Sequence, residues 1–166
     1  MRSQSAIFVV LLAAVFPVAA APVALSETSL TGTWECGPTA MKAPSAVITL
    51  VSVIKRAADL TFTSLSTSVI TSSDRPTLTF MASGAGAWRL EGNTLISAYH
   101  TSTFISASDP RISTAAGQQV LDAEQRKKST FKSTILEIGP SAMRSIPLDP
   151  AYPQAMVEVS CRRIDA

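Results

Sequence analysis

Leu30-Thr31-Gly32-Thr33-Trp34-Glu35-Cys36 sets Leu30, Gly32, Trp34 and Cys36 on one side of an extended chain and Thr31, Thr33 and Glu35 on the other. That period of two is the pattern of a β-strand with one face buried. Gly37-Pro38 is the signal that ends it. The stretch also carries one of two tryptophans and one of two cysteines in the chain, so a large core aromatic and a crosslink share a single strand.

Upstream of it, Arg2 provides a positive start, Ala6 to Phe16 is unbroken apolar sequence, and Pro17-Val18-Ala19-Ala20-Ala21 ends in small residues. This is the arrangement of a signal peptide, residues 1–20, cleaved near Ala20. A retained membrane anchor is the competing reading, but the run is well short of the ~20 residues that span a bilayer. Export to the periplasm or the medium is therefore expected, with no membrane anchor after cleavage. Pro22 to Ser29 is small and polar, a flexible lead-in over 21–29, and residues 30–166 form one domain. A chain of 166 residues with 46% apolar content is long enough for one hydrophobic core.

Downstream, Ala46 to Ile54 is a β-branched run of strand length that Lys55-Arg56-Ala57-Ala58 turns. Asp59 to Leu65 alternates, with Leu60, Phe62 and Ser64 opposed to Thr61, Thr63 and Leu65, and extends to Ile70 through a bulge where the phase is lost. Thr77 to Met81 is a short strand, Gly84-Ala85-Gly86 breaks it, and Ala87 to Leu90 leads into a tight hairpin at Glu91-Gly92-Asn93. Thr94 to His100 returns. Short strands with turns at this spacing predict an antiparallel sheet.

One helix is expected, from Pro110 to Lys128. Asp109 caps it, Ile112, Ala116, Val120 and Ala123 recur at helical spacing, and Arg126-Lys127-Lys128 suit its C-terminal end. Such a small-residue face lies flat on a sheet or barrel mouth, or serves as a lid. Three strands close the chain: Ser129 to Ile138, Ala142 to Leu148 and Ala155 to Arg163.

Two cysteines in an exported chain predict a Cys36–Cys161 disulfide, whose long loop is worth about 4–5 kcal/mol in the chain-entropy model. If the two strands run antiparallel, Trp34 then faces Arg163, each two residues from its cysteine. The guanidinium stacks on the indole and closes the fold.

At this point the chain resembles the lipocalin-like (calycin) barrels, in particular the small lipocalin-like proteins that bacteria export, a group of poorly characterised function. Gly32-Thr33-Trp34 in the first strand, Arg163 in the last, and Gly86-Ala87-Trp88-Arg89-Leu90-Glu91-Gly92-Asn93-Thr94-Leu95 in mid-chain carry the likeness. It implies a mainly β fold, an antiparallel up-and-down barrel or strongly curved sheet with one α-helix, closed by Gly32, Trp34 and Arg163. The Thr-Asp-Tyr-like motif of lipocalins proper is absent. Ser29 to Trp34 also resembles the opening of the avidin family, but Glu35-Cys36-Gly37-Pro38 stands where polar biotin ligands would lie, so biotin binding is not carried over.

The inventory of reactive groups argues against catalysis. His100 is the only histidine, there is no Gly-x-Ser-x-Gly, and both cysteines are assigned to the disulfide. One His and two Cys do not make a zinc site, and no cofactor is implied. The net charge of +2 falls to about +1 without Arg2, which leaves no basic surface of the kind nucleic acid requires. The expectation is a non-enzymatic barrel holding a small apolar or amphipathic ligand. The alternative is a cell-envelope interaction or inhibitor module with a filled core. Inward Phe62, Leu78, Phe80, Leu95, Phe131 and Ile135 favour filling, whereas the Ser/Thr-rich stretch from Thr61 to Ser73 favours a cavity.

Overall fold

The computed structural model describes residues 24–43, 45–149, 153 and 156–165; the expected signal peptide lies outside them. Eight antiparallel strands, each bonded to the next in chain order, close into a barrel when the last pairs with the first. They are β1 (Gly32–Ala43), β2 (Ala46–Arg56), β3 (Thr61–Thr71), β4 (Leu78–Glu91), β5 (Thr94–Ala107), β6 (Thr130–Ile138), β7 (Ala142–Leu148) and β8 (Val159–Arg163). Among the described residues two helices accompany them, α1 (Glu27–Leu30) before β1 and α2 (Thr114–Lys127) between β5 and β6. No helix among the described residues is long and apolar enough to cross a membrane.

The seam forms as its residues require. Cys36 and Cys161 are disulfide-bonded, Trp34 pairs with Arg163 across β1 and β8, and the guanidinium carbon lies 4.4 Å from the indole centre. Arg163 also donates from Nη1 to the Thr31 carbonyl and from Nη2 to that of Ser29, both at 2.8 Å. Gly32 is required here twice over. Its φ is +121°, and a Cβ on it would sit 2.6 Å from Arg163 Nη1. By contrast Arg162, opposite Glu35, is an exposed ion pair. Arg163→Ala should therefore cost about 2 kcal/mol of stability and Arg162→Ala under ~1 kcal/mol; urea denaturation of the two variants checks the order.

Several boundaries differ from the sequence expectation. The lead-in ends in α1, where Ser26 and Ser29 cap each other, and Leu30 is its fully buried last residue rather than the first of the strand. Gly37-Pro38 does not end β1, which continues to Ala43 past a register shift between Cys36 and Thr39. β3 has no bulge: its pairing with β2 is continuous, and the phase that looked lost is kept by inward Ser64 and Ser66 with Leu65 exposed. Gly84-Ala85-Gly86 does not break β4 either, because neighbouring strands supply the hydrogen bonds. β8 begins only at Val159.

Trp34, Trp88, Phe62, Leu95, Ile135, Ile138 and Met143 pack one end of the barrel, which α1 caps through Leu30. Burying such side chains contributes ~25 cal/mol per Å² of apolar surface removed from water. The other end is not filled in this way.

A barrel cavity beneath helix α2

β1 to β5 are tall strands of 11 to 14 residues, whereas β6, β7 and β8 have nine, seven and five. β6 reaches only Ala98 of β5, so the upper half of β5 is left with an open edge. α2 takes the missing partner's place. The side-chain amide of Gln118 accepts from the Phe104 N–H and donates to the Ser102 carbonyl, each at 2.9 Å, as a strand neighbour would. Gly117 is the helix's buried residue because a Cβ there would lie 2.5 Å from the Phe104 ring.

This corrects the expected helix. It starts at Thr114 under a Ser113 cap, while Asp109 instead binds Arg111 and Pro110 stays outside. The Arg111 guanidinium and amide hold the Asp109 carboxyl down at about 2. Its seated face carries Gly117, Gln118, Leu121 and Gln125, and Val120 points to solvent at 55% exposure. Apolar spacing misled because the helix docks on a strand edge, which calls for an amide and a glycine.

Below α2 lies a cavity of about 610 Å³. Alternate residues of β2 line it, Leu50, Ser52, Ile54 and Arg56, with Ser66 opposite Ser52 on β3. Ser97 and Tyr99 of β5, Ser133 of β6 and Ser145 of β7 complete much of the wall, and Cys36 and Cys161 belong to it as well. The space follows from side-chain size: inward serines stand where Leu or Phe would fill an eight-stranded barrel. Of the residues expected to fill the core, Phe62, Leu95 and Ile135 do so at the closed end, Leu78 and Phe80 are half-buried, and Phe131 is 44% exposed.

Tyr99 organises the middle of the cavity. Its ring meets Phe62 edge-on at 4.8 Å and Phe131 at 5.5 Å between centroids. Gly84 makes room for it, since a Cβ there would fall 2.5 Å from the Tyr99 ring. The Ser52 and Ser66 hydroxyls bond at 2.8 Å. At the mouth Lys128 pairs with Asp149 at 2.5 Å and lies 5.1 Å from the Phe131 ring centre. The site is thus apolar with dispersed hydroxyls inside and charged at the rim.

Arg56 is the residue that sequence reasoning missed. A basic pair before Ala-Ala reads as a turn, yet β2 runs through it and Arg56 is 5% exposed. The signal was its phase, because Leu50, Ser52, Ile54 and Arg56 share one face. Burial pushes its guanidinium down to about 10, so it stays charged at neutral pH. The other expected site residues divide: Cys36 and Cys161 line the cavity, whereas Gly32, Trp34 and Arg163 are at the closed end. His100 is exposed on β5, within the strand rather than at its end. No group of three or more potential metal ligands occurs among the described residues.

No protein-family model matches the chain, and no curated protein matches it.

Proposed function

We propose that the protein is an exported, non-enzymatic, lipocalin-like carrier that holds one small amphipathic molecule in its barrel. The cavity beneath α2 carries this reading: its volume of about 610 Å³ falls within the ~300–1,000 Å³ of small-molecule pockets. Its walls combine apolar side chains with a few hydroxyls, which suits a mostly apolar guest. The disulfide supports an oxidising compartment, periplasmic or extracellular. A non-catalytic role is supported by exposed His100 and by both cysteines being bonded. A module with a filled core is disfavoured by the same cavity.

Native mass spectrometry of the exported protein tests the reading, with a bound small molecule as the expected result. Ser66→Phe, which puts a ring into the cavity opposite Ser52, should abolish that complex and change stability by only ~1 kcal/mol, about one hydrogen bond. Undiminished occupancy in Ser66→Phe would show that the ligand binds elsewhere, and a wild-type protein that never carries one would remove the proposal.

A further inference from the structure

The wall of the cavity holds one buried charge that no described residue neutralises. Arg56 Nε and Nη1 are buried without a hydrogen-bond partner among the described residues. Arg56 forms no ion pair with a carboxylate among them, and the titratable side chain that acts on it is that of Tyr99. Arg163, whose Nε is likewise unpartnered, differs because both its Nη groups donate to carbonyls and its plane covers Trp34. A buried cation without a partner is strongly destabilising. Here it lies beside a cavity, and an anion in that cavity would satisfy it.

The surroundings specify that anion. Arg56 stands in a cross-strand row with Phe62, Gly86 and Tyr99. Gly86 contributes no side chain, and the two rings meet edge-on at 4.8 Å, an aromatic floor beside the guanidinium. The charged lysines and acids of the cavity wall, Lys128 and Asp149 among them, belong to α2 and the strand ends near it. One interior cation balances one negative charge, and a guanidinium matches a carboxylate in shape and donor spacing. Ile54, Leu50, Leu95 and Val159 give the remaining wall an apolar character suited to a hydrocarbon tail.

Resting on the carrier reading above, we infer that the ligand is a single-tailed monocarboxylate, a fatty-acid-type amphiphile, bound head-first with its carboxylate on Arg56 and its tail directed towards α2. Charge-assisted hydrogen bonds at a buried site supply the preference for this headgroup.

Titration of the delipidated mature protein with dodecanoate, methyl dodecanoate and dodecyl phosphate, followed by calorimetry, tests the inference. Dodecanoate should bind at least tenfold more tightly than its uncharged ester. Arg56→Gln and Arg56→Met should each weaken dodecanoate by roughly ten- to a hundredfold, the worth of a charged hydrogen bond, and leave the ester unchanged. Arg56→Met should also raise the Tm of the empty protein, since an apolar side chain replaces an unpaired charge, which guards against loss of binding through misfolding. Equal affinity for acid and ester, or full dodecanoate binding by the Arg56 variants, would overturn the anchor and leave the carrier reading standing. Tighter binding of dodecyl phosphate would overturn the monocarboxylate assignment. If none of the three binds, the carrier reading itself fails.

Discussion

Trp34→Ala is expected to destabilise the protein by about 3–5 kcal/mol, the range for truncating a buried tryptophan. The side chain is completely buried, its indole N–H donates to the Leu30 carbonyl at 2.9 Å, and its face supports the Arg163 guanidinium. Truncation removes all three at once. It opens a void at the closed end, orphans the carbonyl that ends α1, and leaves Arg163 without the ring beneath it. For a chain of this size the Tm should fall by roughly 6–20 °C. Trp34→Phe restores most of the apolar contact but not the N–H donor, so its loss should be markedly smaller. A change below ~1 kcal/mol for Trp34→Ala would show that the closed end is held by something else.

Removing the disulfide has an effect of similar size but a different character. The Cys36→Ala/Cys161→Ala double variant should lose about 2–5 kcal/mol, because the crosslink joins residues 125 apart in the chain and so limits the unfolded ensemble. It also secures a short seam, since β8 pairs with β1 only through Trp34–Arg163, Glu35–Arg162 and Cys36–Cys161. Both cysteines line the cavity, so ligand retention should fall with stability, which Trp34→Ala at the closed end would not require. Thiol counting on the wild-type protein should find no reactive cysteine, and an unchanged Tm after full reduction would overturn the assignment.

Much of the fold was legible because period-two alternation is a local property. Gly32, Trp34 and Cys36 announced a buried strand face, with Leu30 falling in α1 instead, and the two cysteines brought Trp34 and Arg163 together in the register that is observed. β7 spans the residues expected of it, Ala142–Leu148. These features depend on side chains a few residues apart, or on one covalent bond.

What the sequence determined by itself was therefore the antiparallel β class, the disulfide and the closing seam around Gly32, Trp34 and Arg163. Only the tertiary structure decided where strands end and which space stays empty, because both depend on partners remote in the chain. Gly84 and Gly86 look like breakers until Tyr99 and Ala98 are seen against them. Lys55-Arg56 looks like a turn until Thr63 and Phe62 pair with it. A serine says nothing of a cavity until Ser52 meets Ser66 across two strands. The stretch that revealed the fold closes the barrel, and the candidate chemistry lies with Arg56, whose burial only the closed barrel imposes.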